Sequence, residues 1–360
     1  MKKVIAMLSA CLFSFGVANA GELSITGSAK ASYAIASSDG ASGPLNRDKA
    51  LGISNEFTLG ASGELDNGYT WSYAIDIDSV ESGATNDDAK LSLTTPQGTI
   101  GIFLGEGALG VDNAGSQSVI ARPSDTSYAE LMTDTFDIDG FDNIQYHTPA
   151  DLLPFGITAK IGYSPGAEAN VADFKAAGSN HAATNRIATP DTASAGGITL
   201  AGGGDAVTHY QVKAAPIDGL SIGADYLEFS GVIGSSQQAP ESGAYFATYT
   251  FGPATIGYSK SFAALPMNNI TTEVVEQVEN TKTSIAINVN DNLSISYEQE
   301  ESTPTLSKAS AAYELESTGI QAAYTMGGMT LGVAMNDHKN TEYTQNKDIK
   351  DTVFTVQMAF

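Results

Sequence analysis

The stretch that decides the fold is "DTVFTVQMAF", residues 351–360, in which Thr352, Phe354, Val356, Met358 and Phe360 all fall on one side of a period-two pattern. Successive side chains of a strand point to opposite faces, so the segment reads as a strand with one apolar face. Loose chain ends are usually polar. An end that is greasy at alternate positions and stops on a bare aromatic needs an apolar partner, either a protein core or lipid.

The same grammar recurs upstream: a tight turn, a short polar residue, then alternating apolar residues. It appears in "LDNGYTWSYAID" (65–76), "PQGTIGIFLG" (96–105), "PFGITAKIGYS" (154–164), "IDGLSIGADY" (217–226), "FGPATIGYSKSF" (251–262), "NDNLSISYE" (290–298) and "MGGMTLGVAM" (326–335). Asn67-Gly68, Asp218-Gly219, Gly252-Pro253 and Gly327-Gly328 supply the positive or fixed φ that short hairpins require. Another alternating run precedes each tip, for example Leu51, Ile53, Phe57 and Leu59 before the first. The pattern predicts sixteen strands between residues 22 and 360; the least certain stretch is 302–315, where Ala309 to Leu315 is an alternative strand. An even number brings both ends of the sheet to one side.

Connections alternate between short and long. The long ones, rich in Ser, Asp, Gly and Thr, include 37–49, 80–87, 231–242 and 337–348, and two are far longer, 106–141 and 165–205. A sandwich has comparable loops at both ends. An outer-membrane barrel has short turns on one side, long loops on the other and lipid against its apolar face. The opposite face carries Lys30, Glu56, Asp76, Asp78, Lys90, Lys160, His209, Lys213, Asp225 and Glu298 in mid-strand. Unpaired in a dry core, each would cost several kcal/mol, on the order of 2–7 for a polar group and more for a charge. Beside water they are cheap, so the interior reads as a wet channel. Tyr69, Trp71, Tyr73, Tyr249, Phe251 and Phe360 lie near turns, where interfacial aromatics belong.

The first twenty residues, "MKKVIAMLSACLFSFGVANA", combine Lys2 and Lys3, an apolar run from Val4 to Val17 and Ala18-Asn19-Ala20. That is the layout of a cleaved secretory signal peptide, leaving 21–360 as one barrel domain. The run is too short to span a bilayer as a helix, which takes roughly 20 residues. "LSAC" (8–11) resembles a lipoprotein cleavage box but would leave an h-region of only Val4 to Ala10. Cys11 is the sole cysteine, so cleavage at Ala20 removes all disulfide and thiol chemistry. Removing Lys2 and Lys3 leaves 15 basic residues against 41 acidic ones, a net charge of −26. Such a balance repels nucleic acid and favours small cations, or else simply serves solubility.

Together, the leader, the opening "GELSITGSAKASYAI", "EFTLGASGELDNGYTWSYAIDID" around the first turn, "GTIGIFLGEGALG" before a long loop, the "MGGMTLGVAM" hairpin and the closing strand to Phe360 resemble the general porins of Gram-negative bacteria, and among them those of alphaproteobacteria. The resemblance spans the mature chain as strand-and-turn grammar more than as a sharp motif. It implies a sixteen-stranded antiparallel transmembrane β-barrel with short periplasmic turns and long extracellular loops. It also implies a homotrimer in outer-membrane lipid, and a third loop, 106–141, folded into the lumen. Phe360 would then also be the signal read by the β-barrel assembly machinery. If the loop folds inward, Asp112, Asp125, Glu130, Asp134, Asp137 and Asp139 face Lys30, Lys90, Lys160, Lys213 and Lys282, and the transverse field orients polar solutes.

Other motifs have blander readings. "GEGALG" (105–110) matches G-x-G-x-x-G after a strand, but "VDNAGSQS" follows where a dinucleotide site needs a helix; the glycines let the loop leave the wall. "DTFDIDGFDN" (134–143) has alternate carboxylates that suit oxygen-ligated Ca²⁺ without the D-x-D-x-D-G-x5-E loop, so structural calcium stays an open option and no other cofactor is expected. His147, His181, His209 and His338 have no metal-ligand spacing. No G-x-S-x-G occurs, and no enzyme is expected. The expected function is passive diffusion of ions and small hydrophilic solutes, preferring cations. The alternatives are a solute-specific channel, and an exported β-rich adhesin or surface-layer protein without a pore.

Overall fold

The computed structural model describes residues 22–39, 49–80, 83–125, 134–165, 206–230, 238–265, 275–307 and 313–360. The leader, Glu130 and nearly all of 165–205 lie outside these. The strands are β1 (Glu22–Asp39), β2 (Lys49–Glu64), β3 (Thr70–Val80), β4 (Gly83–Thr95), β5 (Gly98–Leu104), β6 (Asn143–His147), β7 (Thr158–Ser164) and β8 (Val207–Ile217). The second half supplies β9 (Leu220–Phe229), β10 (Glu241–Phe251), β11 (Ala254–Ala264), β12 (Val275–Asn288), β13 (Leu293–Leu306), β14 (Leu315–Met326), β15 (Met329–Lys339) and β16 (Asp348–Ala359). All pair antiparallel with their sequence neighbours, and β1 pairs with β16, so the sheet closes into a sixteen-stranded barrel. Among the described residues no helix is long and apolar enough to cross a membrane, which says nothing of a barrel.

The short turns follow the chemistry read from the sequence. Gly68, Gly219, Gly252 and Gly327 all have positive φ, 79°, 79°, 57° and 62°, the left-handed region a side chain disfavours. At the other end the strands run further than the apolar alternation does. β4 begins at Gly83, β12 at Val275 rather than 281, and β13 continues to Leu306 through "EQEESTPTL". The predicted loop at 80–87 is therefore mostly strand. Beyond the apolar band the outer face turns polar, and in β12 a bulge between Val275 and Gln277 shifts the register, so the period-two signal fades while the hydrogen-bonded ladder continues. β14 starts at Leu315; of the alternative strand, Ala309 to Leu315, residues 309–312 lie outside the described residues.

Alternation then sorts the faces. Leu23, Ile25, Leu51, Ile53, Ile100, Ile102, Ile161, Val212, Ile256, Ile320, Met335 and Phe354 are exposed on the outside, Leu51 at 81%. Their strand neighbours on the inner face, such as Gln145, His209, Ser284, Glu298 and Gln321, are buried. A soluble fold would hide the first set, since burying a large aliphatic side chain is worth about 1.5–3 kcal/mol. At the seam, the Phe360 N–H donates to Gly27 O (2.9 Å) and the Gly27 N–H donates to Phe360 O (2.8 Å). The Phe360 ring lies over Gly27, where a Cβ would meet it at 2.8 Å, and 5.4 Å from the Phe57 ring.

Candidate channel and the loop that lines it

Residues 105–125 leave β5 and pass inside the barrel, crossing the inner wall strand by strand, and 134–141 lead back to β6. Gln145 of β6 donates to Gly107 O (2.5 Å) and Gln211 of β8 to Leu109 O (2.5 Å). The Val111 N–H donates to Asp225 of β9 (2.8 Å), and Ser259 of β11 donates to Asp112 O (2.7 Å). Ser284 of β12 both donates to Gly115 O and accepts from the Gln117 N–H. Glu298 of β13 accepts from the Ser116 and Ser118 hydroxyls (2.5 and 2.7 Å), and Gln321 of β14 accepts from the Ile120 N–H (2.9 Å). The chain then returns: the Ser124 N–H donates to Glu300 (2.7 Å) and the Phe136 N–H to Ser242 of β10 (3.0 Å).

The wall makes room for this path with inward-facing glycines. A Cβ at Gly257 would overlap the Gly115 carbonyl, one at Gly319 would meet Pro123 at 2.8 Å, and one at Gly332 would meet Ile120 at 2.7 Å. Gly162 does the same for Ile138, at 2.8 Å. These positions carry a signal in the sequence, because each interrupts an otherwise polar inner face. Toward the loop end the inner wall is not wet as the sequence reading expected. Val207, Leu227, Phe229, Ala263, Val275 and Val278 pack there on Phe136 and Phe141, with Phe229 edge-on to both rings at 5.6 and 5.8 Å. The return arm of the loop converts that part of the interior into a small dry core.

The loop carboxylates are deployed mainly between loop and wall. Asp134 pairs with Arg122 (2.6 Å) and with the buried Lys282 (3.1 Å). Burial would raise its pKa, but Lys282 and Arg122 outweigh this and hold it well below the usual carboxylate range. Asp137 caps the short 3-10 turn Ile138–Gly140 and accepts from the Leu109 (2.9 Å) and Gly110 (2.7 Å) N–H groups. It also faces His209 Nδ1 at 3.3 Å, while His209 Nε2 meets Asp225 at 3.1 Å. Against burial, these hydrogen bonds, that from His209 first, keep Asp137 below its ordinary value. Asp112 Oδ2 lies 3.7 Å from Lys282 Nζ and accepts no hydrogen bond, and burial pushes the carboxyl up to about 6 despite that lysine.

Of the other residues singled out from the sequence, Asp125 is exposed where the outgoing arm ends and Asp139 is half-buried on the 3-10 turn. Lys90 pairs with Glu106 at the loop's root. Lys30, Lys160 and Lys213 stand half-buried on the inner wall with no ionic partner among the described residues. The structure thus brings Asp112 and Asp134 to Lys282, and leaves Lys30, Lys160 and Lys213 apart from the acids of the loop. Among the described residues no three His, Cys, Asp or Glu side chains converge as a metal site requires. What sequence reasoning missed is the holding set on the wall: Gln211, Ser259, Ser284, Glu300 and Gln321.

A barrel of this size, narrowed from within by one long loop, can be set beside solved structures. The anion-selective porin of Comamonas acidovorans superimposes with a TM-score of 0.64 at 12% identity, over 94% of this chain and 100% of that one. The fold is that of the bacterial porins. A loop-deletion mutant of OmpT, an outer membrane protein of Vibrio cholerae, gives 0.64 at 13% identity over 95% and 100%. A mutant of the Rh. blastica porin gives 0.59 at 10% over 94% and 100%. No family model matches the sequence, and no curated protein is similar to it in sequence. At these identities the porin likeness is one of fold.

Proposed function

We propose that the protein is an outer-membrane porin that lets ions and small hydrophilic solutes diffuse down their gradients, with a preference for cations. The observation that carries this reading is a closed sheet with apolar side chains outside and polar ones inside, crossed internally by a loop bonded to the wall. Selection is by diameter and electrostatic bias, with no covalent step. Cation preference is supported by the net charge of −26 left after the leader and by Glu56 and Asp76 on the inner face of β2 and β3, opposite the wall that the loop covers. The name of the Comamonas porin records the opposite preference for that protein. The reading includes export by a cleaved leader, assembly into a homotrimer, and delivery by the barrel assembly machinery through the strand ending at Phe360.

The test is refolded mature protein in a planar bilayer under a KCl gradient. Conductance steps in groups of three with a cation-selective reversal potential are expected. An anionic reversal potential overturns the preference alone. A silent membrane with folded protein overturns the channel and favours a poreless surface protein.

A further inference from the structure

One turn at the short-turn end does not resemble the others. Between β6 and β7 the chain runs through "TPADLLPFGI", residues 148–157, where most neighbouring hairpins turn in two to five residues. The segment is tied at its base, the Thr148 N–H donating to Ala159 O at 2.9 Å. It lies against the end of β8, where Gly156 approaches Ala215. The sequence pattern puts the start of the following strand at 155; it starts at Thr158, because Pro154–Gly156 form a 3-10 turn.

Within that turn Phe155 has φ 60° and ψ 25°, the left-handed region. A bulky residue disfavours this region and stays there only where its surroundings compensate. The Ile157 N–H donates to Pro154 O at 3.2 Å and closes the turn, yet among the described residues Phe155 remains 69% exposed. Leu152 beside it is 60% exposed, and Ile217, at the end of β8, is 60% exposed. Register with Leu220 and Ile222 of β9 places Ile217 on the outer face. Ile217 therefore continues the apolar outer surface of Tyr146, Ile161 and Val212 to the rim of the sheet, and the turn that carries Phe155 lies against the end of the same strand.

We propose that the β6–β7 turn is a lipid-binding foot, with Leu152, Phe155 and Ile217 inserted at the headgroup–acyl boundary of the leaflet nearest the short turns. The occupant is lipid because the patch meets the outer apolar band at Ile217, and an amphipathic aromatic-aliphatic knob suits that boundary. Lipid contact adds burial of the Phe155 ring to the hydrogen bond that closes the turn. The inference rests on the outer-membrane reading above.

The test uses Trp reporters in a Trp71→Phe background, which removes the one native indole. Phe155→Trp and, as a second reporter on unstrained backbone, Leu152→Trp are refolded into phosphatidylcholine vesicles with acyl chains brominated near the headgroup. Ile320→Trp, on the exposed outer face of β14, marks insertion of the barrel itself. The expected result is quenching of both foot reporters by brominated chains, with shielding from acrylamide, to the same fraction as Ile320→Trp. Reporters open to acrylamide and unquenched by bromine, while Ile320→Trp is quenched, put the foot in water and overturn the proposal. Quenching by neither agent means that protein, a second copy included, covers the patch, and this too overturns it. If Ile320→Trp escapes bromine and is open to acrylamide, the barrel stands in water, the membrane reading falls and the foot with it.

Discussion

At the residue scale the interior is governed by contacts that leave no room. Gly115 and Gly257 bring the loop backbone against the backbone of β11, and interiors packed this closely do not absorb even one added carbon without moving something. Gly257→Leu is expected to push 113–118 off the wall toward the axis, lowering single-channel conductance, whereas Gly328→Ala, at a turn with nothing within reach of the new carbon, leaves it unchanged. Asp134→Asn is a different injury. It leaves the buried Lys282 and Arg122 with Asp112 and Glu300 but without the carboxylate between them. Removing one partner of such a set typically costs about 3 kcal/mol, and amide exchange across 109–124 should quicken correspondingly while strand amides keep their protection.

At the element scale the loop is a pH-dependent lining. Asp134 and Asp137 sit below their free value, so their contribution to seating is complete above about pH 4 and is lost as pH falls through their lowered pKa values. Asp112 works in the other sense. Raised to about 6, it keeps its proton when seated but would lose it when released, so seating weakens as pH climbs from about 4 to 6 and levels off above. Exchange protection of the loop should therefore peak near pH 4 and fall on either side; a monotonic profile would contradict this balance. The strands were legible in the sequence because a wall between lipid and water imposes strict alternation, as in Leu51 to Leu59 and Thr352 to Phe360. The start of β12 was not, because a bulge between Val275 and Gln277 puts the two buried valines, Val275 and Val278, three residues apart and breaks the period of two. The inward loop followed from a resemblance. Its individual bonds stayed hidden, because a serine such as Ser259 or Ser284 looks alike on any wet surface, and pairing of Asp134 with Lys282 joins residues that local patterns never relate.

At the scale of the whole molecule, charge acts through distance and salt. Three of the loop acids are bound to cations or backbone, so the proposed cation preference falls to the diffuse field of the net charge, −24 for the whole chain, and of wall groups such as Glu56. A diffuse field is screened over about 10 Å at 0.1 M salt but about 3 Å at 1 M. Cation preference should accordingly be clear from reversal potentials in dilute KCl and fade toward that of free ions in concentrated KCl; preference unchanged by salt would require a specific site instead. The seam between β1 and β16 carries a different consequence, one of time. It joins the two ends of the sequence, Ser28 opposite Ala359, so it is the most non-local pairing in the sheet and the slowest kind to form. Until it forms, both edges expose unpaired backbone groups that another chain can capture. Folding of this barrel is thus a race between closing on itself and pairing with a stranger, decided at the last strand.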